Sequence, residues 1–162
     1  MKIRKATGEE MRSLWDRLDM EIPEPTTDFF YENIFSGNAD FWTIDDDGEL
    51  IGELYAFYDL PDSDFADGKT TAYLCAFRVR KGYRGKGLGS LLMTQVLEDL
   101  RNKGLRRVTI GVGPDETQNV RLYRRFGFTT KIKDCHYDPC GMDENGEPEY
   151  EEDPWWLLSR EL

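Results

Sequence analysis

A glycine-rich junction between a predicted strand and a predicted helix constrains the fold of this chain more than any other feature. The junction runs from Arg84 to Ser90 and reads Arg-Gly-Lys-Gly-Leu-Gly-Ser. Glycine at alternate positions lets successive backbone N–H groups point to one side without a Cβ clash, and the following helix adds the positive end of its dipole. The junction therefore predicts a binding site for the phosphate groups of an anionic cofactor.

The spacing of the glycines excludes two better-known phosphate loops. A P-loop has Gly, four residues and then Gly-Lys-Ser/Thr, whereas Leu88 follows Gly87 here. A dinucleotide-binding fingerprint has the order G-x-G-x-x-G, and this chain has G-x-G-x-G. The pattern that remains is Arg-x-x-Gly-x-Gly, from Arg84 to Gly89.

This pattern resembles the acetyl-CoA loop of the GCN5-related N-acetyltransferases, the GNAT family. Val79-x-x-x-Tyr83 before the loop is also similar to that family, although Lys81 stands where proline is frequent. A second match lies downstream, where residues 122–128 read Leu-Tyr-Arg-Arg-Phe-Gly-Phe and resemble the family's Leu-Tyr-x-x-x-Gly-Phe ending. Two motifs separated by one helix and one strand give the resemblance its weight.

The resemblance implies an α/β (α+β) fold of GNAT type, formed as one domain over residues 1–162. We expect a mixed central sheet of about seven strands flanked by about four helices. The parallel strands before the glycine loop and after its helix would splay apart and hold the acyl-CoA between them. The predicted element order is strand, two helices, three strands, helix, strand, helix and two strands.

Local patterns predict where several elements begin. Thr7 with Glu10 forms a capping box for the first helix. Thr26 or Thr27 is predicted to cap the second helix, and Asp115 with Gln118 the last one. The Asp-Gly pair in residues 46–48 favours a tight hairpin, and the final antiparallel pair is predicted at residues 128–136 and 155–159.

The resemblance also implies which residues bind the cofactor. Three residues of the strand before the loop would pair with the pantetheine amides through their backbone, and seven residues of the loop would hold the pyrophosphate. Asn119 is a further candidate, because Glu116 replaces the asparagine that this family often carries there. Arg80 is either a phosphate contact or a solvated strand end. The predicted strand and loop residues are Phe77, Arg78, Val79, Arg84, Gly85, Lys86, Gly87, Leu88, Gly89 and Ser90.

The implied reaction is direct attack of a neutral amine on the thioester of acetyl-CoA in a ternary complex. Such an enzyme orients both substrates and stabilises the oxyanion, for which a backbone N–H near residues 77–79 is the expected donor. Tyr123 is the predicted catalytic residue and would donate a hydrogen bond to the departing thiolate. The position where some members carry a glutamate base is Tyr73, so the general base stays open and a water relay is one alternative. An alkylammonium with a pKa near ~10.4 must first lose its proton, which predicts an alkaline limb in the pH profile.

The charge of the chain is concentrated in two acidic segments. Asp and Glu number 32 against 21 Lys and Arg, which gives a net charge of −11. Residues 59–68 and 143–153 together hold eleven acids and no Lys or Arg, so they account for the whole excess. Either these segments attract a cationic acceptor, such as a polyamine, an aminoglycoside-like amine or a basic peptide terminus, or they keep the surface hydrated. Nucleic acid is disfavoured as a partner because there is no basic stripe.

The cysteine content and the hydropathy of the chain indicate its redox state and its location. Cys75, Cys135 and Cys140 are odd in number, and no apolar run approaches the ~20 residues that span a bilayer, so we expect reduced thiols, a cytoplasmic protein and no membrane partner. The two later cysteines with His136 lack a fourth soft ligand, so no metal site is predicted. The family resemblance makes a homodimer possible. The alternative function is a non-catalytic acyl-CoA-binding sensor or interaction module.

Overall fold

One seven-stranded mixed sheet organises the protein in the computed structural model, which describes residues 1–162. The strands follow the order β1-β2-β3-β4-β5-β7-β6 across the sheet. The predicted fold class and the predicted element order are both confirmed. The elements are β1 (Lys2–Ala6), α1 (Gly8–Arg17), α2 (Glu24–Ser36), β2 (Ala39–Asp46), β3 (Glu49–Phe57), β4 (Thr71–Val79), a 3-10 turn (Lys81–Tyr83), α3 (Leu88–Asn102), β5 (Arg107–Val112), α4 (Thr117–Arg125), β6 (Thr130–Met142) and β7 (Pro148–Glu161).

The sheet separates two hydrophobic cores because successive side chains of a strand point to opposite faces. Helices α3 and α4 cover one face, where Leu74 of β4 packs with Leu92 and Tyr123. Helices α1 and α2 cover the other face, where Tyr73 of β4 packs with Phe30 and Leu157. Adjacent residues of β4 therefore face different cores, and the pairing on one side of this strand is interrupted by a gap.

Such a gap opens between β4 and β5. The two strands pair in parallel only from Thr71–Leu74 to residues 107–110. Beyond that point β4 continues beside β3 alone, and β5 continues beside β7 alone. Ala76 has φ +53° at a register shift between β3 and β4, and this bulge bends β4 at the point where the strands separate.

Two helices begin elsewhere than predicted. The first residue of α2 is Glu24 rather than a residue after Thr26, since Pro23 and Pro25 supply a φ that suits the first helical turn. The hydroxyl of Thr26 instead donates to the carbonyl of Met142 and accepts from its N–H, each at 2.8 Å. The N-cap of α4 is Glu116 rather than Asp115, and no side chain caps that helix. The capping box of Thr7 and Glu10 is confirmed.

The final hairpin is longer than the sequence predicted. Strands β6 and β7 extend over Thr130–Met142 and Pro148–Glu161, so most of the acidic segment 143–153 lies on a strand and not in a loop. Cross-strand partners such as Tyr137 and Tyr150 hold this extension together although its sequence is highly polar. No helix in the structure is long and apolar enough to cross a bilayer.

Candidate active site

The glycine junction is anchored on the end of β4. Gly85 and Gly87 have φ values of +79° and +80°, which favour glycine, and Gly87 is the N-cap of α3. A Cβ at Gly89 would lie 3.2 Å from Cζ of Phe77, so the missing side chain lets the first turn of α3 approach β4. Nε of Arg84 donates to the carbonyl of Val79 at 2.6 Å. The junction therefore presents its backbone and the start of α3 beside the splayed part of β4.

A cavity of about 430 Å³ lies at this junction, between β4, α3 and α4. Eleven of the twelve residues predicted from the sequence line it. The exception is Lys86, whose ammonium lies over the ring of Tyr83 at 5.7 Å from the centroid. Tyr83, Leu122 and Arg125 also line the cavity and were not predicted. We call this space the donor cavity, and its predicted lining residues are Phe77, Arg78, Val79, Arg84, Gly85, Gly87, Leu88, Gly89, Ser90, Asn119 and Tyr123.

Three arginines line the donor cavity, namely Arg78, Arg84 and Arg125. Arg80 forms an ion pair with Glu49, and the guanidinium of Arg78 pairs with the buried carboxylate of Glu53 at 3.1 Å. Arg84 and Arg125 are therefore the arginines that we expect to contact a bound phosphate.

Tyr123 projects from α4 and is almost fully buried, with 7% of its surface exposed. Its ring centroid lies 6.5 Å from that of Phe77 and 6.2 Å from that of Phe128. Burial raises the pKa of the Tyr123 phenol to about 12, and the nearby carboxylate of Glu116 adds to this effect. The phenol therefore stays protonated at neutral pH, which is the form that can donate a hydrogen bond inside the donor cavity.

Glu116 and Asn119 mark the border between the donor cavity and a second cavity. Nδ2 of Asn119 donates to Oε2 of Glu116 at 3.4 Å, and the N–H of Gly113 donates to the same oxygen at 3.4 Å. Asn119 lines the donor cavity, whereas Glu116 lines the second one. Asn119, which was predicted as a substitute for the family asparagine that Glu116 replaces, therefore contacts Glu116 directly.

The second cavity, of about 410 Å³, lies where β5 has left β4. Gly111 and Gly113 border it, and the rings of Tyr73 and Trp155 contribute aromatic surface. No Lys or Arg lines it. We call it the acidic cavity because five carboxylate residues line it, namely Asp115, Glu116, Asp138, Glu151 and Asp153.

A third and more apolar space, of about 650 Å³, lies between α2 and the β6–β7 hairpin. Phe29, Phe65 and Met142 are among its walls. Asp138 is the residue that it shares with the acidic cavity. We call this space the apolar groove, and it borders the acidic cavity at Asp138.

The carboxylates of the two acidic segments have different surroundings in the structure. Within residues 59–68, Asp62 and Asp64 pair with Lys133 at 2.6 and 3.0 Å, and Asp67 accepts backbone N–H groups. Within residues 143–153, Glu151 and Asp153 reach the acidic cavity. The remaining carboxylates of that cavity lie outside both segments, because the fold and not the local sequence brings them together.

Comparisons with known proteins agree with this geometry. The profile of the family described as "Acetyltransferase (GNAT) family" matches residues 3–128. A ribosomal-protein-alanine N-acetyltransferase from Brucella melitensis superposes with a TM-score of 0.71 over 100% of both chains at 16% identity. A GNAT family acetyltransferase from Elizabethkingia anophelis, solved with acetyl-CoA bound, superposes with a TM-score of 0.63 at 19% identity, covering 99% of this chain and 97% of its own.

Two curated relatives are similar in sequence over part of their length. Mycothiol acetyltransferase of Cellulomonas flavigena is 31% identical over 116 residues, and spermine/spermidine N(1)-acetyltransferase of Bacillus subtilis is 29% identical over 84 residues. The matches cover 68% and 51% of this chain, and 33% and 54% of the respective relatives. The profile match covers most of the chain and includes both sequence motifs, and acetyl-CoA is the acetyl donor of this family. The chain therefore belongs to the GNAT family of acetyltransferases.

Proposed function

We propose that this protein transfers the acetyl group of acetyl-CoA to a primary amine of a cationic acceptor. The observation that carries the proposal is the pair of cavities beside the β4–β5 gap. One is bordered by the glycine junction and three arginines, and the other by five carboxylates. An anionic donor and a cationic acceptor would therefore approach the gap from opposite faces of the sheet.

The donor cavity suits acetyl-CoA in shape and in charge. Backbone N–H groups around Gly87 and the start of α3 suit a pyrophosphate, and Arg84 and Arg125 add positive charge. The edge of β4 from Phe77 to Val79 has no strand partner on the side of β5. That edge is available for the pantetheine amides, and pairing there would direct the thioester toward Tyr123.

The acidic cavity suits an ammonium group. Its carboxylates attract a cation electrostatically, and the rings of Tyr73 and Trp155 offer faces that favour cations. Phe65 contacts both rings, with centroid distances of 5.0 Å to Tyr73 and 5.8 Å to Trp155, and so fixes their orientation. Polyamines, aminoglycoside-like amines and basic peptide termini share this chemistry.

The chemistry in the gap follows from these positions. The neutral nitrogen of the acceptor attacks the thioester carbonyl carbon, and the carbonyl oxygen becomes an oxyanion that a backbone N–H near residues 77–79 stabilises. When the C–S bond breaks, the Tyr123 phenol donates a hydrogen bond to the departing thiolate. Both reactants are held by the protein, so the reaction passes through a ternary complex.

Steady-state acetylation of spermine tests the acceptor half of the proposal. Replacing Glu151 and Asp153 together by Gln and Asn removes two charges from the acidic cavity. We expect KM for spermine to rise about tenfold or more, which corresponds to about 1.4 kcal/mol, and its salt dependence to weaken. The matched control, Glu144→Gln with Glu152→Gln, removes the same charge outside the cavities. Equal KM values in both double variants would contradict a cationic acceptor in this cavity.

A further inference from the structure

Asp138 is held in one orientation by the backbone of β6. The register between β6 and β7 shifts between Tyr137 and Met142, so Asp138 lies in a bulged segment. Its Oδ1 accepts from the N–H of Cys140 at 2.8 Å. A Cβ on Gly141 would lie 2.9 Å from Oδ2 of Asp138, so the absence of a side chain at 141 makes room for the carboxylate.

The carboxylate of Asp138 lies at the junction of the two spaces that an acceptor would occupy. Asp138 borders both the acidic cavity and the apolar groove. Solvent reaches it there, although it sits in a concave part of the surface. An amine that entered through the apolar groove would meet this carboxylate before it reached the β4–β5 gap.

The groups around Asp138 are almost all acidic or neutral. Glu149 and Glu151 lie on β7, Tyr73 lies on β4, and Cys140 follows on β6. Partial desolvation in this concave surface raises the pKa of Asp138, and Glu151 and Glu149 raise it further, against the effect of the N–H groups of Cys140 and Gly141. The remaining charged residues that line the two spaces are Asp62, Asp115, Glu116, Glu147 and Asp153, with Lys133 paired to Asp62.

Two neighbouring candidates for proton transfer, Tyr73 and Glu116, are less suitable. Burial and the charge of Asp138 raise the pKa of Tyr73 well above its ordinary value, so its phenolate is inaccessible at neutral pH. Glu116 accepts from Gly113 and Asn119 at the start of α4, which gives its carboxylate a structural role. Asp138 combines a fixed carboxylate with access from both spaces.

We propose that Asp138 is the general base that accepts the proton of the attacking amine. The inference rests on the proposed function, because it requires an amine acceptor in the acidic cavity. The ammonium form of the acceptor enters and passes one N–H proton to the Asp138 carboxylate, directly or through one water, and the lone pair that this frees on the nitrogen forms the N–C bond. When the C–S bond breaks, the sulfur leaves as a thiolate, and a second N–H proton passes from the nitrogen to that thiolate. The products are the acetamide and CoA, and the proton on Asp138 returns to solvent.

The test compares Asp138→Asn with Asp134→Asn, using acetyl-CoA and spermine over the range from mildly acidic to alkaline pH. Asp134 lies four residues earlier on the same strand, is exposed and pairs with Lys131 at 2.9 Å, so it matches the charge change outside both cavities. Thermal unfolding and acetyl-CoA affinity, measured by calorimetry, report whether each variant is folded and binds the donor.

At neutral pH we expect Asp138→Asn to lower kcat/KM about 100-fold or more, as for loss of a general base. The loss would shrink as the pH approaches the alkylammonium value of ~10.4, where the amine loses its proton to solvent. Asp134→Asn would keep the wild-type kcat/KM, and both variants would bind acetyl-CoA as the wild type does. A neutral-pH kcat/KM for Asp138→Asn close to that of Asp134→Asn, or a loss of equal size at every pH, would overturn the assignment of Asp138.

Failure of the proposed function gives a different result. A wild-type protein that acetylates an uncharged amine but leaves spermine unmodified would contradict the cationic acceptor, and the same pH series with that amine would still decide whether Asp138 is the base. A wild-type protein that binds acetyl-CoA but acetylates no amine would contradict both proposals.

Discussion

Gly111 lies directly beneath the indole ring of Trp155. A Cβ at position 111 would stand 2.5 Å from Cζ3 of that ring, which is closer than packed carbon atoms approach one another. Both residues line the acidic cavity at the free edge of β5. Because Gly111 has no side chain, the ring of Trp155 can pack against β5 and line the candidate acceptor site.

The Gly111→Ala substitution is predicted to displace Trp155 and to damage the acceptor side selectively. We expect KM for spermine to rise several-fold while the Kd for acetyl-CoA stays unchanged, with a loss of stability of about 1–3 kcal/mol from overpacking. Gly82→Ala is the control, because no atom lies within 4 Å of a Cβ there and its φ is not in the left-handed region. An unchanged KM for spermine in a folded Gly111→Ala protein would contradict the role of Trp155.

Tyr123→Phe is predicted to lower kcat about tenfold to 100-fold, because the departing thiolate loses its hydrogen-bond donor. Acetyl-CoA affinity is expected to stay unchanged, since the ring and its contacts with Phe77 and Phe128 remain. The pKa of about 12 keeps the wild-type phenol protonated, so Tyr123 is expected to cause no loss of rate between neutral and moderately alkaline pH. Undiminished turnover in Tyr123→Phe would remove Tyr123 from the mechanism.

The lowered pKa of Asp67 is expected to make the stability of the folded protein fall at acidic pH. Its Oδ1 accepts the N–H groups of Lys69, Thr70 and Thr71 at 2.9, 2.8 and 2.9 Å, and these bonds hold its pKa well below the ordinary value despite the opposing effect of burial. A carboxyl whose pKa is lowered by folding stabilises the protein above its unfolded pKa of ~3.9 and loses that effect as the pH falls further.

Replacing the Asp67 side chain measures how much its carboxylate stabilises the folded protein. Asp67→Ala is expected to lower the free energy of unfolding by about 2 kcal/mol at neutral pH. The difference from the wild type would narrow as the pH falls below about 4, because the Asp67 carboxyl then becomes protonated in the unfolded state while the folded state still holds it ionised. Urea unfolding at several pH values measures this difference in the free energy of unfolding. Asp64→Ala, which changes an exposed carboxylate, is the comparison. A difference that stays constant down to strongly acidic pH would contradict the ionic origin of this stabilisation.

The residues predicted to bind the cofactor lie close together because most of them belong to one local segment. Glycines at 85, 87 and 89 and the helix start form one continuous segment, and the motif ending in Gly127 and Phe128 places Tyr123 on the next helix. Eleven of the twelve predicted residues meet in one cavity for this reason. Arg125 was missed, although it lies inside the second motif, because a solvated arginine and a cavity-lining arginine have the same local sequence pattern.

The acidic cavity and the apolar groove could not be predicted because segments distant in sequence build them. Thr26 and Met142 are 116 residues apart, and their paired hydrogen bonds attach the β6–β7 hairpin to α2. The bulge that carries Asp138 and the long acidic strand pair have the composition of a loop, and only cross-strand pairing makes them strands. The start of α2 was predicted wrongly because Pro23 and Pro25 set the first helical turn. Thr26, one of the two predicted caps, instead bonds to Met142 of the hairpin.

A calorimetric titration of acetyl-CoA into the wild-type protein, Gly87→Ala and Gly104→Ala tests whether the glycine junction binds the cofactor. Gly87 and Gly104 have φ +80° and +86° at opposite ends of α3, and nothing lies within 4 Å of a Cβ at either, so both substitutions impose similar backbone strain. We expect one saturable site in the wild type, a Kd at least about tenfold weaker in Gly87→Ala, and wild-type affinity in Gly104→Ala. Absence of binding by the wild type at millimolar acetyl-CoA, or equal affinity in all three proteins, would contradict the assignment of the glycine junction as the cofactor site.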